Sequence, residues 1–507
     1  MPPDRTFWND KSASSSTTAI SASKDRSPLS GDTRHHYSYV IVGSGMAGLH
    51  TALALAERQQ SKGGNILLLD AHSIGQSASG KSKGLVVPGI QVPEKDLARI
   101  CGSTHIAKQV YDLTHKAAIR LKEDIVERYK IDCDWVDAGL VEASLYKHND
   151  SHQDEECHPL TAAETRQLLG QPNTSTLYKS GEYDPSCSGV DPLALTRGLA
   201  TVLENQWNVR ICEQTKVTTI DAIPTLPPDE ASNRTETNPA SKYVVTTEAG
   251  AQIECQHVVL CTGPELVSRK LSKQLANAII PIYTWMASTV PLNEQCPLKD
   301  GVIDTILPPD VSLDDREKEK KEQQQPTPAP LCGDDFVSLN YWRRSKDSRI
   351  LFGSLADAYP IPQWLAEYRL RNSLHQVYPQ LQNVPFDHIW SGRLAFPRDA
   401  IPLIGRDEGY DHHDNTSTNP TDGGVWYATG FGGHGIVPTV MAGTILADAI
   451  LGVGNKDTWQ LFQWEFPPKY SFWPVSRLGA QAILMTYSLT DWLRLKGVPI
   501  PRLPKPW

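Results

Sequence analysis

Six residues, Gly43-Ser44-Gly45-Met46-Ala47-Gly48, place glycines at the first, third and sixth positions, and an aspartate, Asp70, closes the next apolar run. That pattern suits a phosphate. Gly43 permits a tight turn, Gly45 lets backbone N–H groups approach a pyrophosphate, and Gly48 lets a helix pack closely on the preceding strand. The positive end of that helix faces the bound anion, and Asp70 is placed to accept from a ribose hydroxyl. Farther on, Thr262-Gly263 ends an apolar run and Gly430-Phe431-Gly432-Gly433-His434-Gly435 opens a helical one, both places where backbone comes close to a ligand. His434 either assists there or is a turn histidine bonded to backbone. A third group is polar and aromatic. Arg343 and Arg344 are strand neighbours, so one points to each face, and an arginine facing a pocket pairs with a carboxylate as a planar fork. A solvated pair beside Lys346 and Asp347 is the alternative. Tyr283, Trp285, Tyr341 and Trp342 either wall a dry pocket or form ordinary core.

The positioning elements follow from periodicity. Tyr39–Val42 is a strand, Leu49–Glu57 a helix and Ile66–Leu69 a second strand, which makes a βαβ unit with Asp70 at its end. Ala71 to Gly84 is a small, polar loop leaving the acid-bearing strand, and Ala71, Ser79 and Gly80 are its candidates for touching the same ligand. Glu94 to Lys130 reads as two helices, with short strands at Ile131–Trp135 and Gly139–Ala143. Thr161 and Glu164 form a capping box, and Asp191-Pro192 starts a helix with proline where its missing N–H costs nothing. That helix delivers the strand Val209–Cys212. Thr215-Lys216-Val217, strands at Tyr243–Thr247 and Ala251–Cys255, and a buried strand from His257 to Cys261 make a second unit, with Val217, Thr262 and Gly263 beside the ligand. From Pro281 the chain turns β-rich, through Phe336–Arg343 to Ile350–Gly353, under a covering helix at Trp364–Val377. Trp390–Arg393 and Ile401–Gly405 lead back to the first unit, with Gly405 near the ligand, and Val425 onward runs through the second glycine turn into the helix Ile436–Leu451.

Composition narrows the function classes. With 507 residues and a net charge of −9, the chain can bury a large core in two domains and is a poor partner for nucleic acid. Nine scattered cysteines without CxxC spacing indicate neither a disulfide framework nor a metal site, and fit a reducing, cytoplasmic compartment. Met1 to Arg34 is polar and reads as a disordered arm. Pro224–Pro239 and the mixed-charge run Arg316–Lys321 read as solvated insertions. Ser476–Lys496 is amphipathic, short of a membrane span, and is a candidate for peripheral membrane contact.

Together, the Gly43–Gly48 turn with Asp70, the Cys261-Thr262-Gly263 strand end and Gly430–Gly435 resemble the FAD-dependent amine and amino-acid oxidases that include D-amino-acid and sarcosine oxidases, and within them the γ-glutamylputrescine oxidoreductases. Ser79-Gly80, Ile131–Trp135, Trp390-Ser391-Gly392 and Pro402–Gly405 support the likeness, which spans about Tyr37 to Leu495. It implies an α/β fold: a Rossmann-like, doubly wound FAD-binding domain and a discontinuous α+β substrate domain on an antiparallel sheet. The expected pieces are an arm at 1–36, FAD-binding parts at 37–92, 186–280 and 389–455, helical and substrate-domain parts at 93–185 and 281–388, and a helical extension at 456–507.

The resemblance also implies non-covalent FAD and oxidation of a C–N bond to an imine by hydride transfer to flavin N5, followed by hydrolysis. A γ-glutamylputrescine-like amine in polyamine catabolism is the implied substrate, and oxygen or another acceptor takes the electrons. Trp285, Tyr341, Arg343 and His434 are the implied catalytic set, with Arg343 the arginine turned to the pocket. Two departures stand out. Ser79-Gly80-Lys81-Ser82-Lys83-Gly84 replaces the family's Ser-Gly-Arg-Asn-Gly-Gly, and Leu351 stands where sarcosine-oxidase-like relatives carry an oxygen-activating lysine. Leu394–Asp399 has no cysteine for covalent flavin attachment. The rival readings are a membrane-associated dehydrogenase using a quinone or protein acceptor, and a non-catalytic FAD-binding protein.

Overall fold

The computed structural model describes residues 6–14, 26–29, 31, 34–59, 65–146, 157–223, 241–267, 271–292, 329–336, 340–410, 420–454, 462, 473–496 and 498. The apolar strand Arg34–Val42 lies at the centre of the first sheet, parallel to Ile66–Leu69 on one side and to Gln252–Leu260 on the other. Val40 and Ile41 are fully buried, as a strand covered on both faces requires. Arg210–Cys212 extends the sheet past Ile66–Leu69, and Gly424–Thr429 adds in parallel to the second half of Gln252–Leu260. Tyr243–Thr247 and Val217–Ala222 add in antiparallel fashion to its first half. The two strands expected at Ala251–Cys255 and His257–Cys261 are one continuous strand. Its halves have different outer partners, but both pair in unbroken register with Arg34–Val42.

The second sheet has eight strands in the order Phe386–Pro397, Ile279–Thr289, Ile350–Asp357, Tyr341–Arg344, Leu331–Asp334, Leu140–Ser144, Ser180–Asp184 and His158–Thr161. One pair, Leu331–Asp334 with Leu140–Ser144, is parallel and its other pairings are antiparallel. The helix Gln363–Val377 covers one face, burying Ala366, Leu370, Leu374 and Val377 against Trp342 and Phe352. A doubly wound layer and an antiparallel layer are the expected architecture. The strand expected at Ile131–Trp135 is instead a bend, with Asp134 at φ 49°, and pairing begins at Val136–Asp137. Ala78–Lys81 inserts a helical turn into the polar loop. The insertions at 224–239 and 316–321 lie outside the described residues.

The amino-terminal reading needs the largest correction. Phe7–Ser14 is a helix, and Phe7 and Trp8 are buried with Leu193, Met286, Leu351 and Trp390. Polarity of the surrounding residues hid two aromatic anchors. Lys11 pairs with Asp134 and, at 3.0 Å, with Asp191, and Asp10 meets His388 Nε2 at 2.9 Å. Farther along the arm, Arg26 binds Glu204 through two hydrogen bonds of 2.8 and 2.6 Å. At the other end, Trp473–Leu495 is a helix that exposes Leu478, Met485, Leu489 and Trp492, and no described helix is long and apolar enough to cross a membrane.

Removing the Trp8 side chain should cost about 3–5 kcal/mol, the range for truncating a buried large aromatic. A urea titration of Trp8→Ala checks this. Acid should also destabilise the fold. Burial holds His50 at about 3, and His257, also near Arg406, at about 4. Both folded values lie below the unfolded value of about 6.5, so the unfolded chain binds more protons. Stability is therefore complete above about pH 6.5 and declines as the pH falls towards the folded values, by roughly 2 kcal/mol per histidine at pH 5. His257→Phe, which can keep the stack on Tyr39, should lose less between pH 7.5 and 5 in urea titrations.

Candidate active site

The first glycine turn is built by exclusion of side chains. Gly43 sits at φ 106°, and a Cβ there would come within 2.6 Å of the Cys261 carbonyl. A Cβ on Gly48 would overlap the Gly43 carbonyl. At Gly45 an added Cβ would meet, among the described residues, only Ser79 Oγ at 3.0 Å, so that position opens onto space. Met46 N donates to the same Ser79 Oγ at 3.0 Å. Asp70, expected at a ribose, also braces the turn: Oδ2 accepts from the N–H and hydroxyl of Ser44, both at 2.7 Å, and Oδ1 accepts from His72 N at 2.8 Å.

The second glycine turn is brought beside the first by helix packing. Gly443 of the helix Ile436–Leu451 lies against Met46–Gln59 so closely that a Cβ would be 2.6 Å from the His50 carbonyl carbon and 2.7 Å from Thr51 N. Gly430, Gly432 and Gly433 have φ values of 73°, 60° and 97°, which L side chains rarely adopt. His434 Nε2–H donates to the Val87 carbonyl at 2.9 Å, and burial holds this imidazole below its ordinary range, hence neutral.

Both turns line one cavity of about 2220 Å³, several times the usual 300–1,000 Å³ of a small-ligand site. It has room for a dinucleotide and a second molecule. Gly43, Ser44, Gly45, Met46 and Ala47 line it with Asp70, Ala71 and Ser79. Val217, Thr262, Gly263, Gly432, Gly433, His434 and Gly435 also line it. The buried hydroxyls of Thr262 and Thr429 reach its wall without a protein partner, which leaves polar atoms for a ligand to satisfy. Gly48, Gly80 and Gly405 pack behind the wall: a Cβ on Gly80 would overlap Gly75, and one on Gly405 would be 2.9 Å from the Tyr427 hydroxyl.

The opposite wall is the uncovered face of the second sheet. Met286, Gly353, Tyr341, Gly333, Glu142 and Glu182 form one register row across six strands. All but Gly353 line the cavity. Tyr341 therefore faces it. Trp285 borders the cavity but packs with Trp342 and Phe352 in the helix-covered core, and Tyr283 is not part of the lining. Arg343, expected to face the pocket, does not line it. Nη1 donates to the carbonyls of Lys83, Gly84 and Val190 at 3.3, 3.4 and 2.9 Å, and the guanidinium lies 5.7 Å from the centre of the Trp8 ring. Buried carbonyls on the far side satisfy its donors better than an open cavity would.

Those bonds belong to a larger arrangement. Trp390 Nε1 donates to the Lys81 carbonyl at 2.9 Å and Trp8 Nε1 to the Ser82 carbonyl at 2.9 Å, so four successive carbonyls of the 81–84 loop are held from behind. In front, Lys83 extends into the cavity wall over the Tyr341 ring, its amine buried and unpartnered. Asn340 is a second residue that sequence reasoning passed over. Asp334 accepts from its Nδ2 at 2.8 Å, which leaves Oδ1 buried and without a donor at the cavity. Only the loop's departure from the family pattern pointed to Lys83, and no pattern pointed to Asn340.

Residues 38–449 match the family described as FAD dependent oxidoreductase. Among curated proteins, the chain is 25% identical over 426 residues to the probable oxidoreductase OrdL of Haemophilus influenzae, covering 82% of this chain and 83% of that one. It is 26% identical over 434 residues to the γ-glutamylputrescine oxidoreductase of Escherichia coli K12, covering 82% and 84%. Among solved structures, glycine oxidase from Geobacillus kaustophilus shares the fold at a TM-score of 0.58 and 16% identity, over 83% of this chain and 96% of that one.

Gly45→Val should fold and fail to hold flavin, because an added Cβ meets Ser79 Oγ alone among the described residues and the side chain would extend into the space beside the helix end. Its flavin absorbance per chain should fall at least about tenfold, equivalent to about 1.4 kcal/mol or more of lost binding, with a cooperative melt retained.

Proposed function

The chain belongs to the FAD dependent oxidoreductase family, and on that premise we propose that it oxidises the C–N bond of an amine with an amino-acid-like tail, of the γ-glutamylputrescine type, to an imine that water then hydrolyses. The observation that carries the reading is the single cavity shared by two glycine-opened helix ends and the Tyr341 face of the second sheet. The residues fit the cofactor. The Gly43–Gly48 turn would hold the pyrophosphate and Asp70 the adjoining ribose. Gly432 N and His434 N already donate to the Ala395 and Phe431 carbonyls, so the N–H groups of Gly433, Gly435 and Ile436 would hold the pyrimidine end of the flavin, where a helix N-terminus stabilises negative charge. When bound, FAD supplies a two-electron hydride acceptor at flavin N5.

The protein's task is to orient a neutral amine and exclude water. Met286 and Tyr341 wall the cavity beside Lys83, and Asn340, whose buried Oδ1 has no donor, borders it. Asp334, pushed up to about 7 by burial, keeps Asn340 in place through two hydrogen bonds, from its backbone N at 3.1 Å and from Nδ2 at 2.8 Å. Along the same row the exposed end is acidic, with Glu142 and Glu182 paired in register. Glu142 stands two strands from Tyr341, about 10 Å at the usual strand spacing, and favours a cationic substrate. A second reading, a dehydrogenase that passes electrons to a membrane acceptor, draws on the exposed apolar residues of Trp473–Leu495.

Anaerobic mixing of the flavin-loaded protein with primary amines, secondary amines and amino acids tests both. A γ-glutamyl-capped diamine should bleach the flavin absorbance faster than the free diamine. Reoxidation by air supports the oxidase; slow reoxidation by air with fast reoxidation by a quinone supports the second reading. A flavin bleached by none of these compounds contradicts both.

A further inference from the structure

Lys83 is the one described lysine whose amine is both buried and without a hydrogen-bond partner, and it lines the cavity. Its residue is 3% exposed. The slot is built for it: Gly353 lies beneath the side chain, where a Cβ would overlap Lys83 Cε and have Nζ at 2.5 Å. The face of Tyr341 covers the amine, and Met286 occupies the neighbouring strand in the same row. Its backbone is fixed by the donors behind the loop, so the side chain is held in one place at the cavity wall, its amine between Gly353 and Tyr341.

We propose that Lys83 is a catalytic base that takes the proton from the substrate's ammonium group. The inference rests on the amine-oxidation reading above. An amine enters from water as R–CH2–NH3+, and the C–H bond cannot yield hydride until the nitrogen lone pair is free. One N–H bond of the substrate breaks and one forms on Nζ, with no change of oxidation state. The neutral amine so formed is the species from which bound FAD would accept hydride to leave the protonated imine R–CH=NH2+, while the lysine keeps the proton as its ammonium. The Lys83 proton passes to water when product leaves. Burial lowers the pKa of Lys83 well below the ordinary lysine value, partly opposed by Asp334, and so supplies the neutral amine that the step needs.

The test compares wild type, Lys83→Met and Lys83→Arg, each loaded with FAD, by anaerobic stopped flow with an amine that bleaches the wild type. Lys83→Met should keep its flavin and lose about 10²–10⁴-fold in the reduction rate at pH 7, the range for a proton-transfer group. The loss should shrink as the pH approaches the substrate's own pKa, where solvent supplies neutral amine. Lys83→Arg should not recover the rate, because a guanidinium keeps its proton. As a readout independent of turnover, acetic anhydride labelling of the FAD-free protein, followed by peptide mass, should modify Lys83 with a half-maximal pH below that of the surface lysines. Recovery by Lys83→Arg with only weaker substrate binding in Lys83→Met would make Lys83 an anchor and overturn the proposal. So would a defect confined to reoxidation, or a labelling profile like that of surface lysines. If no amine bleaches the wild type, the underlying reading fails and the proposal with it. If the wild type is bleached and Lys83→Met keeps its rate and pH profile, the proposal alone fails.

Discussion

Two backbone-on-backbone contacts govern this molecule. Gly48 lies against the Gly43 carbonyl at the end of the central strand, and Gly443 lies against His50 and Thr51 of the helix that follows. Each leaves no volume for a side chain, and together they fix the positions of two helix N-termini relative to one sheet. The consequence is electrostatic. Two sets of first-turn N–H groups, from segments almost four hundred residues apart in the chain, open on one cavity. An elongated ligand with negative charge in its middle and at one end matches that arrangement, and a smaller anion would use only half of it.

The second constraint acts on the loop between the layers. Four consecutive carbonyls, from Lys81 to Gly84, accept from Trp390, Trp8 and Arg343. The Gly84 carbonyl also accepts from Val190 N at 2.8 Å, and the other three, left buried and unpaired, would each cost on the order of 1–3 kcal/mol. Paired, they turn a short polar connection into a rigid mount. This explains why the amino-terminal helix is buried although its neighbours in sequence are polar: Trp8 supplies one of the bolts, and its ring faces the guanidinium that supplies two more. The arm thus belongs to the site's support, and the chemistry on the cavity side depends on packing behind it.

The parts of this arrangement that obey local rules were legible in the sequence. Gly43, Gly45 and Gly48 announce a close approach of backbone to ligand, and Asp191-Pro192 and Thr161 with Glu164 mark helix starts that the structure contains. What depended on long-range pairing was not. Arg343 and Tyr341 share a face of one strand, and nothing local tells which of them meets the open cavity; the answer lies in the carbonyls of a loop some 260 residues earlier. Trp285 was a candidate wall because it is aromatic, yet its neighbour Met286 lies in the cavity-facing row, and strand alternation turns Trp285 into the helix-covered core. Phe7 and Trp8 were lost in a polar segment whose composition argued against order. Lys83 was visible only as an unexpected cation in a loop, since its burial comes from Gly353 and Tyr341 on distant strands.

The central claim is that one FAD molecule spans both glycine turns, and a crystal structure of the flavin-loaded protein tests it most directly. The account predicts one FAD per chain, with pyrophosphate oxygens within hydrogen-bond distance of the Gly45 and Ala47 amides and the pyrimidine end of the ring against Gly432–Ile436. Density for the flavin ring elsewhere, or a cofactor that touches one turn and leaves the other facing solvent, would contradict it.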